Sequence, residues 1–370
     1  MAYTSFPVND ALAVKLWSKT LDNESLKYTD IAPLIGDGPN AIIHRKTETS
    51  KGPGDQVTYG IRMQLQGPGF TENQLAEGNG ESLSIYSDAL IINELGHVVG
   101  VKSEDTIDAQ RVPFSMREEA RDGLADWYSK RFSVAFFNHV CGFTLQTDVR
   151  YTGLNTVLAP SAGRIIRQSQ RASDDLLIAT DTFTINLIDK AKEIAITATP
   201  KIRPIAIKGG RTDPGRRDYN ATLQDKYVMY VHPYQVTDLR TSTSTGQWLD
   251  ITKAAMQGGQ ITNNPIYSGA IGEYNGVVLR QSYDVTQGIS AAGVLVPTVN
   301  RAVLLGGQAV MMAFGRRGGR IGKYRWNEEM FDHGRRMEVS AWTIHGMRKT
   351  RFNGVDYGVV VVSTYSVAHT

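Results

Sequence analysis

The chain predicts an α+β fold, on three observations. These are a long two-stranded ribbon, a helix of about seven turns directly after it, and a C-terminal half made mostly of strand and turn. Residues 56–66 read QVTYGIRMQLQ, in which Val57, Tyr59, Ile61, Met63 and Leu65 alternate with Thr58, Gly60, Arg62 and Gln64. That period of two describes a strand with one apolar face. A stretch rich in Gly, Asn and Glu, residues 67–80, leads into a return strand over 82–92 that carries Leu83 and Ile85. A pair of strands alone is marginal in water. Little nearby sequence is available to cover the apolar face, so the simplest cover is a second copy of the chain. Val57, Tyr59, Ile61, Met63, Leu65, Leu83 and Ile85, together with Trp17 of the N-terminal arm, are the expected contact residues.

The helix is expected over 116–140. Ser115 and Glu118 form an S-x-x-E capping box that satisfies backbone N–H groups at its start. Ala120, Leu124, Tyr128, Phe132 and Phe136 recur every four residues, and Gly142 stops the pattern. At ~1.5 Å per residue the helix spans roughly 37 Å. Its first half carries charges on the outer face, whereas 132–140 is apolar nearly all round and should be buried on more than one side. Taken alone, such a helix is equally consistent with an ordinary core helix.

The rest of the chain divides by punctuation. Residues 1–41 read as an extended arm, with Leu12, Leu16 and Trp17 on one side of a short helix before the break at Gly36–Pro39. Residues 89–101 continue from the ribbon into the body as a strand, and 144–173 lacks periodicity. A second helix is expected over 182–195, and a strand over 226–236 with Pro233 at an edge or strand end. A short helical stretch follows around 248–256. Asn275–Gly276 and Asn353–Gly354 are type I′ hairpin turns, since Asn and Gly tolerate positive φ. Residues 301–314 read as a core strand–turn–strand, and four consecutive valines, 359–362, mark a strand buried on both faces.

Composition narrows the function. With 370 residues and 41% hydrophobic content, a large core is available. No 18-residue apolar run exists, so a membrane span is not expected. The N-terminus lacks the basic start and apolar core of a secretion signal. Cys141 is the single cysteine and is read as a small buried hydrophobe. The seven histidines are scattered, without the i,i+4 spacing of a helical metal site, and no phosphate-loop, nucleophile-elbow or dinucleotide motif occurs. Asp174–Asp175 and Glu328–Glu329 are adjacent pairs, which diverge rather than form an acid–base couple. No catalytic, cofactor or metal residue is therefore expected. Basic residues cluster at 211–217, 316–325 and 348–351. They suit either weak contact with nucleic acid phosphates or solvated loops and intersubunit salt bridges with acidic stretches such as 72–81, and the second is the favoured reading.

Several stretches in order carry a family resemblance. Leu12–Lys19 (LAVKLWSK), Ile42–Glu48 (IIHRKTE), Gly54–Asp55, Ile61–Met63, Arg111–Phe114 (RVPF), Arg117, Glu119–Arg121 and Leu124–Trp127 (LADW) resemble the arm, ribbon and long helix of a phage capsid protein group. That group is typified by the coliphage that packages a virion RNA polymerase. Over nearly the whole chain the sequence resembles the major capsid proteins of tailed bacteriophages, with the Hong Kong 97-type capsid fold. The resemblance implies an N-terminal arm (1–41), an extended β-hairpin loop (42–86) and a peripheral domain (87–204) with a spine helix over 116–140. An axial domain (205–324) and a return to the peripheral domain (325–370) complete it, with strands 339–345 and 357–365 pairing into the peripheral sheet. It further implies many copies in pentamers and hexamers of an icosahedral head around double-stranded DNA, made in the bacterial cytoplasm. Scaffold, portal and decoration proteins would be its other partners. The alternative is an α/β enzyme or nucleic-acid-binding oligomer with the hairpin as a dimerisation arm.

Overall fold

The computed structural model describes residues 31–38, 40–46, 54–62, 67–75, 77–82, 85–103, 106–111, 113, 115–208, 223–242, 272–315 and 323–369. Residues 1–30 of the arm, with Trp17, the contact residues Met63, Leu65 and Leu83, the helix expected around 248–256 and the basic runs 211–217 and 316–320 lie outside the described residues.

Strands β1 (Ile35–Gly36), β2 (Ile43–Lys46), β3 (Gln56–Arg62), β4 (Ile85–Ile91) and β5 (Asn93–Lys102) precede helices α1 (Ile107–Arg111) and α2 (Met116–Cys141). Then come α3 (Val149–Thr152), β6 (Ile165–Arg167), α4 (Ile185–Thr197), β7 (Ile205–Lys208), β8 (Leu223–Val231) and α5 (Pro233–Thr241). The C-terminal part holds β9 (Gly272–Tyr274), β10 (Val277–Gln281), β11 (Gln287–Ile289), β12 (Leu295–Leu305) and β13 (Val310–Phe314). It closes with β14 (Tyr324–Phe331), β15 (Arg336–Lys349), β16 (Arg351–Phe352), β17 (Val355–Asp356) and β18 (Val359–Tyr365).

Two sheets form the body. In the six-stranded sheet, β15 pairs along one edge with β5, from Arg336↔Lys102 to His345↔Asn93. Its other edge takes β14 first and then β13, and β2 and β1 extend the sheet beyond β13 in parallel. The eight-stranded sheet runs β6–β18–β12–β8–β10–β9, with β11 on β12 and β7 on β8. The ribbon, β3 with β4, is a separate two-stranded antiparallel sheet.

Helix α2 joins the two sheets. Ser115 Oγ accepts from the Glu118 N–H at 3.4 Å, and Gly142 closes the helix at φ 69°, where a Cβ would sit 2.6 Å from Pro160 Cδ. Tyr128 reaches the six-stranded sheet, its hydroxyl 2.6 Å from Ala341 O. Nine residues on, Phe137 meets Tyr230 of the eight-stranded sheet edge-on at 5.4 Å. Residues 135–141 are all buried, as the apolar second half of the helix predicts. Among the described residues no helix is long and apolar enough to cross a membrane.

The valine strand is buried on both faces by alternation. Val359 and Val361 enter the core shared with α2, whereas Val360 and Val362 face a second core with Leu187, Ile188 and Ala191 of α4. Both Asn–Gly turns form, with φ of 47° and 73° at Asn275–Gly276 and 46° and 77° at Asn353–Gly354. Residues 301–314 form the expected strand–turn–strand, and three other expectations are corrected. The turn carries the chain from one sheet to the other past Gly306, where a Cβ would meet Arg203 O at 2.6 Å. Strand β8 ends at Val231, because Pro233 opens a helix. His232 Nδ1 accepts from the Tyr234 N–H while Gln235 Oε1 accepts from the His232 N–H, a capping box that ends the extended run. Residues 339–345 and 357–365 fall in different sheets, since β18 pairs with β12 and β6. The second helix starts at Ile185, with Thr184 as its N-cap.

A buried cation secures the end of α2. Arg301 on β12 is 4% exposed; its Nη1 donates to Cys141 O (3.3 Å) and Gly142 O (3.1 Å), and its Nε donates to Asp174 Oδ2 at 2.9 Å. Asp174, fully buried, also takes Arg167 Nε at 2.7 Å and the Ile289 N–H at 3.1 Å. Removing one partner of such a group strands a buried charge, which costs about 3–5 kcal/mol. Asp174→Ala should therefore lower the unfolding free energy of the isolated chain by about that amount. Asp175→Ala, at its exposed neighbour, should change it by about 1 kcal/mol or less; urea unfolding of both variants makes the comparison.

Candidate assembly surface

The ribbon has two ends with opposite environments. At its root the register is Val57↔Leu90, Tyr59↔Asp88 and Ile61↔Tyr86, and the first two pairs share one face. That face lies on the chain's own body: Val57, Tyr59, Leu90 and Ile92 pack with Met311 and Ala313 of β13. Tyr86 meets Phe352 edge-on at 4.5 Å. Arg348 ties the root down, donating from Nη1 to Ala89 O at 2.6 Å and pairing with Asp88 at 3.0 Å, while Tyr59 OH donates to Asp88 at 3.1 Å. The root thus has cover within the subunit that its sequence neighbourhood does not show.

The outer end has none. Residues 67–75 and 77–82 are exposed throughout, including Phe70 and Leu75, the latter 72% exposed. Glu81 folds back to accept from the Gly67 N–H at 2.7 Å and narrows the neck of this loop. Ile85 is 61% exposed and pairs with Arg62, which puts it on the face opposite Val57 and Tyr59, above Gly60. No Lys or Arg occurs between Met63 and Val101, so the outer ribbon is acidic through Glu72, Glu77 and Glu81. Of the expected contact residues, Val57 and Tyr59 are covered by their own subunit, Ile61 lies in β3, Ile85 is open, and Trp17, Met63, Leu65 and Leu83 fall outside the described residues.

Charged groups elsewhere serve packing. In the cluster 348–351, Lys349 and Arg351 both pair with Asp356 at 2.9 Å, and Arg348 holds the ribbon root. Burial lowers the Lys349 pKa, which the Asp356 carboxylate opposes. Glu328 is buried against Arg117 Nη2 (2.9 Å) and Trp326 Nε1 (2.6 Å), away from exposed Glu329. Cys141 is fully buried, and burial pushes its thiol up. On the spine helix, Trp127 stacks on His97 at 4.5 Å, and Arg131 stands over both Trp127 (4.9 Å) and Tyr151 of α3 (3.8 Å). Sequence reading missed Asn155, Arg348 and Phe352 at the ribbon root. Their partners are far away in the chain, so no local pattern marks them.

A body of two sheets bridged by a long helix, with a two-stranded ribbon whose outer end is exposed, is the arrangement of the Hong Kong 97-type fold. The chain belongs to the phage capsid protein family, whose model matches residues 5–368. It is 23% identical to the major capsid protein of Pseudomonas phage KPP25, over 97% of each chain. Among solved structures it is similar to the capsid of Ralstonia phage GP4, with a TM-score of 0.76, 30% identity and full coverage of both chains. The capsid asymmetric unit of cyanophage Pam1 shares the fold at a TM-score of 0.70 and 18% identity, covering 93% of this chain and 94% of that one. The protein is thus a phage major capsid protein, a structural component of an icosahedral virion head rather than an enzyme.

Two core histidines make its stability pH-dependent. His139 on α2 and His345 on β15 are both pushed down to about 4 by burial, and His139 Nε2 lies 2.9 Å from Thr152 O. The folded state holds them neutral while the unfolded chain protonates near pH 6.5, so the unfolded state binds more protons between these values. Their contribution is complete above pH 6.5 and is lost as pH falls towards 4. The urea midpoint of unassembled subunits should fall over this window, and His345→Leu should flatten the profile. An equally steep profile in that variant would assign the pH dependence to other groups.

Proposed function

We propose that copies of the chain close into pentamers and hexamers by laying the outer ribbon and the arm across neighbouring subunits. The observation that carries this reading is the exposed loop at 67–82, in which Phe70 is about half exposed and Leu75 is 72% exposed. A patch that differs from its acceptor makes a heterologous contact, which closes into rings and extends between them. Trp17, Ile61, Met63, Leu65, Leu83 and Ile85 are its candidate contacts. The six-stranded sheet with α2 would be the peripheral domain and the eight-stranded sheet the axial one. On that reading the axial part takes in β6 to β12 and β18, which moves the boundaries from those implied by the resemblance.

The shell would enclose double-stranded DNA and touch it weakly and without sequence preference. The pairing of Arg348, Lys349 and Arg351 with carboxylates supports weak contact, because those charges are already engaged. Scaffold, portal and decoration proteins are the further partners, synthesis takes place in the host cytoplasm, and the group is that of the coliphage with a virion RNA polymerase. Assembly needs no covalent cross-link on this reading. Particles should run as monomers on denaturing gels, and a ladder of multimers would overturn that point.

The ribbon's role is tested by shortening it. Arg62 pairs with Ile85, so replacing residues 63–84 with Asn-Gly gives a two-residue hairpin that keeps the root. The variant should remain soluble and folded by circular dichroism yet form no shells in negative-stain electron microscopy. Normal shells would sink the ribbon's part in assembly.

A further inference from the structure

Among the described residues the ribbon has no third strand paired beside it, yet its last residue is held as though one were there. Ile91 ends β4, and β5 begins at Asn93. The Ile91 N–H donates to Asn155 Oδ1 at 2.9 Å, and the Ile91 carbonyl accepts from Asn155 Nδ2 at 2.7 Å. A side-chain amide offers the same donor–acceptor pair as a strand backbone, so one residue stands in for a neighbouring strand. Asn155 is 3% exposed. From the β15 side Gly346 approaches so closely that a Cβ there would sit 2.3 Å from Ile91 O.

Asn155 is in turn placed by the spine helix. Three residues earlier, Thr152 O takes His139 Nε2 at 2.9 Å, and Tyr151 lies under Arg131 at 3.8 Å. A chain of contacts therefore runs from the last turns of α2 through α3 to the ribbon root.

We infer that Asn155 is the positioning residue of the ribbon, setting the angle at which β3 and β4 leave the body and tying that angle to α2. The consequence for assembly rests on the proposal that the outer ribbon reaches a neighbour, whereas the clamp itself does not.

Hydrogen exchange on unassembled full-length subunits, wild type against Asn155→Leu, tests it. Leucine keeps the branched shape and the four side-chain heavy atoms of asparagine and makes neither hydrogen bond. Amides of 56–62 and 85–91 should exchange roughly ten- to a hundredfold faster, while those of α2, β12 and β18 keep wild-type protection. Unchanged ribbon exchange would overturn the inference, as would a rise spread over the whole chain, the mark of a residue that only stabilises the body. Should Asn155→Leu fail to fold, Asn155→Asp keeps the acceptor and loses the donor. The same local rise is then expected, and its absence overturns the inference. Electron microscopy of assembled material separates the two claims. A spread of particle diameters from a loosened ribbon supports both, whereas uniform wild-type shells from a loosened ribbon would remove the neighbour contact and leave the clamp standing.

Discussion

The guanidinium of Arg301 at the end of the spine helix is the interaction on which the body depends. A helix leaves its last carbonyls without intrahelical partners, and here those of Cys141 and Gly142 end inside the protein rather than in water. Arg301 supplies donors to both, and its charge is balanced by Asp174. Burial alone would raise the Asp174 carboxyl; the cations Arg301 and Arg167 outweigh that and hold it below the usual range. One buried group thereby joins α2, β12, the turn at Asp174 and, through the Ile289 N–H, β11. It fixes where the helix stops relative to the eight-stranded sheet.

From that fixed end the helix runs back to the six-stranded sheet, and its aromatic residues make the two sheets one body. Tyr128 lies against Tyr324 at 4.7 Å, Phe132 against His345 at 4.9 Å, and Phe137 against Tyr230 at 5.4 Å. Edge-to-face contacts of this kind prefer defined angles, so they orient the sheets as well as fill space. A subunit under load in a closed shell needs such rigidity, because an angular error in the body is passed to every neighbour. The ribbon follows the same logic at smaller scale: its root is bonded and packed, and its outer end is left open.

The open end also explains why a chain with an ample core exposes large apolar groups. Phe70, Leu75 and Ile85 would be a liability on a monomer. On the proposed assembly, covering them would contribute to its free energy, at ~25 cal/mol per Å² of apolar surface, and the acidic character of residues 63–101 would disfavour a ribbon-to-ribbon contact through repulsion between like charges.

Local pattern determined much of this protein by itself. Period-two and period-four spacing placed the ribbon and the spine helix, Ser115 and Gly142 placed the helix ends, and the two Asn–Gly pairs placed turns. The valine run at 359–362 read as doubly buried because alternation leaves no polar side. These features depend on residues within one or two turns of each other. Which sheet each strand joins was decided only by the tertiary structure. Strands β12 and β13 are adjacent in sequence yet part at Gly306, and β18 leaves β15 for β12, because backbone pairing is set by the burial of whole faces and not by neighbours in the chain. The ribbon root belongs to the same class: Asn155 and Arg348 bind it from 64 and 259 residues away, across contacts that exist only once the body has closed.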